Sequence, residues 1–297
     1  MNLLRQILAG TDFSAGAGHA ADRAALVSKE TGAALELFHS TNLSGLDKLR
    51  RLVPGIPDDL EQQVIDAGRE QLAGLGRKLN ERHGIAAGVH VAFGDTFAEL
   101  EACAAELPAD LVVLGAHGTS ALPRLVVGST AARMAAGSRC PVLVVKGAPS
   151  GPYRNALIPV DFSAQSLPAL RMASAVAPGA NLILMHAYGF PFEGKIRAAR
   201  DIEAVLEPYL AAARKRVFEK MHELSDAAGL APHSARLLAC HGEALHQILE
   251  QERERKCDLI IMGRHGEAPL LEQVFLGSVT KQVLAQSRAD VLVATGE

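Results

Sequence analysis

The sequence has no tryptophan, and aromatic residues make up only 4% of its 297 positions. Its 48% hydrophobic content is therefore mostly Ala, Leu, Val and Ile, the composition of helices packed on a buried parallel sheet. An excess of either charge is also missing. The formal net charge is −3, which excludes general nucleic-acid binding through a basic face. The run Glu252-Arg253-Glu254-Arg255-Lys256 mixes both signs and reads as a solvated helix face. The four cysteines, Cys103, Cys140, Cys240 and Cys257, form no C-x-x-C pair and no zinc-type spacing. Buried reduced thiols are the expectation. No stretch approaches the roughly 18 apolar residues of a membrane span. The apolar run in MNLLRQILAGTD is too short for a signal peptide. A cytoplasmic protein without a membrane span is expected.

What is present is a duplication. QILAGTDFSA in the first half matches NALIPVDFSA in the second, ALELFHS matches NLILMHA, ADLVVLGAHG matches CDLIIMGRHG, and CPVLVVK matches ADVLVAT. Asp12 and Asp161 stand 149 residues apart, His39 and His186 147, and Gly94 and Gly242 148, the same as Gly115 and Gly263. The seam is the Gly/Pro stretch Gly147-Ala148-Pro149-Ser150-Gly151-Pro152. Domains over 1–147 and 153–297 follow, and so short a linker predicts that they pack on one another.

Each half alternates strand and helix, which implies a parallel sheet covered on both faces. In the first half strands are expected at Gln6–Gly10, Ala34–His39, Gly88–Phe93, Asp110–Leu114 and Val142–Lys146. Ser14 is a candidate N-cap for a helix over Ala15–Glu30, and Ser163 is its counterpart. Pro208 is expected to kink or interrupt the long helix of the second half.

Ligands of open α/β sheets bind beyond the carboxyl ends of the strands. After the fourth strand come Gly115-Ala116-His117-Gly118, nine residues, and Gly128-Ser129-Thr130. Gly115 and Gly118 would allow close backbone approach and positive φ. Gly128-Ser129 would open a helix whose free N–H groups suit a phosphate, with hydroxyls from Ser129 and Thr130. Asp12, after the first strand, would accept from a ribose hydroxyl or an adenine amino group.

This combination resembles the universal stress protein family in its tandem two-domain form. The resemblance rests on GAHGTSALPRLVVGST, on Asp-x-Ser after the first strand and on a His ending the second, and it spans nearly the whole chain. It implies two Rossmann-like domains of the adenine nucleotide alpha hydrolase type. Each would be a five-stranded parallel sheet of order 3-2-1-4-5 with helices on both faces. It also implies ATP or AMP as ligand, with Mg²⁺ accompanying the phosphates, and a homodimer as a further partner. By position, Asp12 would meet adenine or ribose and Ser40 would offer backbone to adenine. Gly115, Gly118, Gly128, Ser129 and Thr130 would hold ribose and phosphates. The second set is Asp161, Gly263, Gly266, Gly277 and Ser278.

The second set departs from the pattern. Ten residues, including Pro269, separate Gly266 from Gly277. The extra residue either bulges outward or displaces the Gly277-Ser278 amides by several ångströms, since one residue reaches up to ~3.5 Å. Nucleotide is therefore expected in the first half, and an empty pocket, a scaffold role or another ligand in the second. His39, Asp12 and His117, repeated as His186, Asp161 and His265, read as local hydrogen-bonding groups rather than metal ligands. Arg124 reads as a solvated loop residue. There is no G-x-x-x-x-G-K-[S/T] loop, no G-x-S-x-G elbow and no evident general base. A regulatory, stress-related nucleotide-binding protein is expected, with slow ATP cleavage an open alternative.

Overall fold

The computed structural model describes residues 4–41, 59–118, 127–189, 203–266 and 276–296. The chain divides into two compact units, Met1–Pro152 and Tyr153–Glu297. In the first, the elements run β1 (Gln6–Gly10), α1 (Ala15–Thr31), β2 (Ala34–Thr41), α2 (Leu60–His83), β3 (Ala87–Phe93), α3 (Thr96–Glu106), β4 (Leu111–Gly115), α4 (Ser129–Gly137) and β5 (Val142–Val145). In the second they run β6 (Asn155–Pro159), α5 (Ser166–Val176), β7 (Asn181–Tyr188), α6 (Glu203–Ala227), β8 (Ala235–His241), α7 (Ala244–Glu254), β9 (Leu259–Gly263), α8 (Ser278–Gln286) and β10 (Asp290–Ala294).

All pairings within each unit are parallel. β1 lies between β2 and β4, with β3 beyond β2 and β5 beyond β4. In the second unit β6 lies between β7 and β9, with β8 beyond β7 and β10 beyond β9. The central strands are buried on both faces, so they read as unbroken apolar runs rather than alternating ones. Ile7, Leu8, Leu111, Val112 and Val113 are fully buried, as are Leu157, Ile158, Leu259, Ile260 and Ile261. A carboxylate pins the start of each central strand. Asp110 Oδ2 accepts from the Arg5 and Gln6 N–H groups at 2.7 and 3.0 Å. Asp258 accepts in the same way from Arg154 and Asn155.

Helix ends follow the expected chemistry in part. Ser14 Oγ accepts from Ala17 N–H at 3.2 Å and so caps α1, and Gly32 ends it at φ 74°. Ser163 caps nothing, because α5 starts three residues later, behind Gln165, without a side-chain cap bond. Pro208 does not interrupt α6. It sits in the second turn, where only one N–H is lost, and the helix runs unbroken to Ala227. The charge run at 252–256 is also not wholly solvated. Glu252 is buried, and its Oε1 accepts from the N–H groups of Arg288 and Ala289, both at 2.8 Å, and from the Ser287 hydroxyl at 3.2 Å.

Candidate functional site

The first-half site is built where β1 turns into α1. Thr11 Oγ1 accepts from the Phe13 N–H at 3.0 Å, and Asp12 Oδ1 accepts from the Ser14 N–H at 3.0 Å. This tight turn holds Phe13 at φ 62°, a left-handed conformation that a bulky residue rarely adopts. The Phe13 ring packs on His39, centroid to centroid 4.5 Å. His39 Nδ1 donates to the Thr11 carbonyl at 2.8 Å, which fixes the ring at the end of β2.

The glycines after β4 have a different reason from the one expected. None of Gly115, Gly118, Gly128, Gly263, Gly266 and Gly277 stands at positive φ. Close packing requires most of them instead, though a β-carbon on Gly128 would meet nothing nearer than 3.5 Å. A β-carbon on Gly115 would lie 2.7 Å from the carbonyl carbon and oxygen of Gly16, so this glycine serves the contact of β4 with α1. A β-carbon on Gly118 would lie 2.5 Å from Asp12 Oδ2, so this glycine keeps open the space beside the carboxylate. Gly16, which the sequence reading passed over, is needed because a side chain there would strike the His117 carbonyl.

Gly128 returns the chain to the pocket, its N–H donating to the Ala116 carbonyl at 2.8 Å. It brings no side-chain cap to α4. The first-turn N–H groups of a helix lack intrahelical acceptors and carry partial positive charge, so this terminus suits an anion. Asp12, Ser40, Gly115, Gly118, Gly128, Ser129 and Thr130 line one cavity of about 250 Å³, near the lower end of small-molecule sites at about 300 Å³. Thr96, Leu100 and His117 share it. Ser40 Oγ donates to Thr96 Oγ1 at 2.8 Å, and His117 Nε2 is buried without a hydrogen-bond partner among the described residues. Thr96 and Leu100 carried no sequence signal, because they come from the start of α3, across the sheet end from the glycines. Arg124 lies outside the described residues.

In the second half Asp161, Gly263, Gly266, Gly277 and Ser278 line a cavity of about 320 Å³. Its frame matches the first. Ser163 N–H donates to Asp161 Oδ1 at 3.0 Å, Phe162 stands at φ 63°, and a β-carbon on Gly266 would lie 2.5 Å from Asp161 Oδ2. The inserted residue does not displace the helix terminus. Gly277 N–H donates to the Arg264 carbonyl at 2.9 Å, as Gly128 does to Ala116. The two cap glycines have φ, ψ of −58°, 151° and −54°, 145°. Pro269 lies outside the described residues. The lining differs more than the frame does. Ser40, Thr96 and Thr130 give way to Ala187, Ala244 and Val279, and Gln165 enters the wall where the first half has Gly16.

Among the described residues, no three His, Cys, Asp or Glu side chains stand close enough to share a metal ion. Burial and the neighbouring Arg264 hold the His265 imidazole below its ordinary pKa. The four cysteines are buried and unbridged. Burial, reinforced by nearby carboxylates, pushes Cys140 and Cys257 up to about 12 and Cys103 to about 11. No helix among the described residues is long and apolar enough to cross a membrane.

Two matched α/β units, each opening a glycine-framed pocket at the sheet's carboxyl end, agree with the family comparison. The universal stress protein family model matches residues 4–146 and again 152–295. The chain belongs to the universal stress protein family. A universal stress protein from Methanocaldococcus jannaschii is 30% identical over 145 residues, 49% of this chain and 84% of that relative. One from Mycobacterium bovis is 28% identical over 204 residues, and the match spans 63% of this chain and 62% of that relative's length. Among solved structures, a universal stress protein from Archaeoglobus fulgidus aligns over 98% of both chains at TM-score 0.69 and 21% identity, a likeness of fold. Another universal stress protein structure, 26% identical, is of a complex with cAMP. It covers 48% of this chain and 98% of its own at TM-score 0.33, and that ligand belongs to that protein.

Proposed function

We propose that this universal stress protein binds an adenine nucleotide, ATP or AMP with Mg²⁺ on the phosphates, in its first-half pocket, and acts as a cytoplasmic regulator in stress survival. The observation that carries this reading is the pairing of two features in one cavity. Asp12, with its carboxylate against Gly118, and the uncapped start of α4 both line it. A carboxylate accepts from ribose hydroxyls or an adenine amino group, while a helix N-terminus stabilises phosphate. Ser129 and Thr130 add hydroxyl donors at the same end. The buried, unpartnered His117 Nε2 supplies one more polar group that a ligand would satisfy.

No cavity-lining Lys or Arg stands beside this terminus among the described residues, and no base adjoins Ser129 in sequence. The arrangement favours holding a nucleotide over cleaving it. Calorimetric titration of ATP and AMP, each with Mg²⁺, into wild type and Gly118→Val tests the reading. Saturable binding in the wild type that Gly118→Val weakens at least tenfold is expected. Equal binding by both, or none by the folded wild type, sinks it.

A further inference from the structure

The two halves provide an internal comparison, because the frame of the pocket is the same and the lining is not. Both place an aspartate against a glycine at 2.5 Å to its missing β-carbon, and both bring the cap glycine back with the same hydrogen bond and torsions. A ligand can therefore approach the backbone equally in each. What differs is which groups meet it. Thr130, at the start of α4, becomes Val279 at the start of α8, while Ala131 becomes Thr280, whose hydroxyl donates to the Gly263 carbonyl at 3.0 Å. The Ser40–Thr96 hydroxyl pair, 2.8 Å apart, becomes the methyl pair of Ala187 and Ala244. Leu114 becomes the longer Met262.

New polar groups appear elsewhere in the second wall, and they are neutral. Gln165 Oε1 and Ser163 Oγ are buried there without a hydrogen-bond partner among the described residues. A buried polar atom left unpaired costs free energy that a ligand recovers by pairing it. A carboxamide and a hydroxyl suit the N–H and O–H groups of an uncharged ligand better than they suit a phosphate.

We propose that the second pocket takes an uncharged nucleoside and discriminates against the polyphosphate that the first pocket holds. The proposal rests on the nucleotide reading only for the kind of base and sugar involved. Asp161 would receive a ribose hydroxyl, and the Gln165 amide and Ser163 hydroxyl would pair with neutral donors or acceptors of the ligand. The Ala187 and Ala244 methyls then replace the Ser40–Thr96 hydroxyl pair with a more apolar wall.

The test uses the full chain with the first pocket closed by Gly118→Val, and adenosine and ATP–Mg²⁺ as probes in calorimetry. Adenosine is expected to bind this variant at least tenfold more tightly than ATP, and addition of Gly266→Val is expected to abolish that binding. Because Gly266→Val presses on the Asp161 carboxylate, Gln165→Leu serves as a second variant. It removes the unpartnered buried amide oxygen, is expected to keep the melting temperature, and is expected to weaken adenosine at least fivefold. ATP binding within threefold of adenosine overturns the proposal, as does the absence of adenosine binding while the wild type still binds ATP. If the wild type binds no ATP but adenosine binding survives Gly118→Val and is lost with Gly266→Val, the first-half reading fails and this one stands.

Discussion

Replacing Gly115 and Gly118 by alanine, one at a time, separates a glycine that serves packing from one that serves the pocket. At Gly115 the new β-carbon would lie 2.7 Å from the Gly16 carbonyl group and 3.0 Å from the Ala17 nitrogen. Carbon contacts are comfortable near ~3.5 Å, so the shortfall is roughly 0.8 Å against backbone. That backbone cannot retreat, because Ala20, Ala21 and Ala24 of α1 are buried at 0%, 1% and 0% exposure behind it. Overpacking of this kind costs about 1–3 kcal/mol. For a unit of this size each kcal/mol shifts the melting midpoint by roughly 2–4 °C, which gives a drop of roughly 2–12 °C. At Gly118 the obstacle is the far end of the Asp12 side chain, an exposed residue that can rotate away. Rotation strains the solvent-exposed hydrogen bond from Ser14 N–H, whose loss costs about 0.5 kcal/mol. Gly118→Ala should therefore melt within about 2 °C of wild type, yet bind ATP about tenfold more weakly, a loss of about 1.4 kcal/mol. Scanning calorimetry and titration calorimetry on the two variants read both numbers. Equal melting losses, or an ATP affinity lowered by Gly115→Ala alone, would refute the reasoning.

Other expectations follow from the buried groups. Glu252→Ala leaves the Arg288 and Ala289 N–H groups without their acceptor and should cost the second unit about 2–4 kcal/mol in denaturant unfolding; a loss below about 0.5 kcal/mol contradicts the three-bond role. The thiols of Cys103, Cys140 and Cys257 should resist a disulfide reagent at pH 8 in the native protein and react when it is unfolded. Their folded pKa values are raised from 9.0 to about 11 or 12, so the unfolded chain ionises first. Their stability contribution is whole below pH 9 and falls as pH rises toward 12, and a transition midpoint that stays flat across that window would contradict it. His265, held low by burial and Arg264, should titrate below 6.5 in nuclear magnetic resonance and move upward in Arg264→Ala. Because its folded value is depressed, stability should decline as pH falls below 6.5.

Much of this architecture is legible in the sequence because it is periodic. The apolar runs LVVLG and LIIMG mark strands buried on both faces, and both became central strands, β4 and β9. The Gly32 stop, the Ser14 cap and the spacing of the pocket glycines rest on local rules that a sequence displays directly. The errors share one cause, which is contact between segments distant in sequence. Gly115 and Gly118 looked like positive-φ residues, but α1 and the Asp12 carboxylate are what exclude a side chain there. Glu252 looked solvated in a charged run, but it satisfies backbone N–H groups 36 and 37 residues away. Counting residues between Gly266 and Gly277 left two outcomes open, and the hydrogen bond from Gly277 to Arg264 decides for an undisplaced helix start. The substitution of Gln165 for Gly16 is visible when the halves are aligned. Its meaning depends on the His117 carbonyl beside Gly16, which no alignment of the halves displays.

The central claim, one nucleotide pocket in the first half, is tested most directly by equilibrium dialysis of the full chain against labelled ATP with Mg²⁺. The account predicts saturation near one ATP per chain, lost in Gly118→Val and kept in Gly266→Val. Two equivalent ATP sites per chain, or none on a chain that circular dichroism reports as folded, would contradict it.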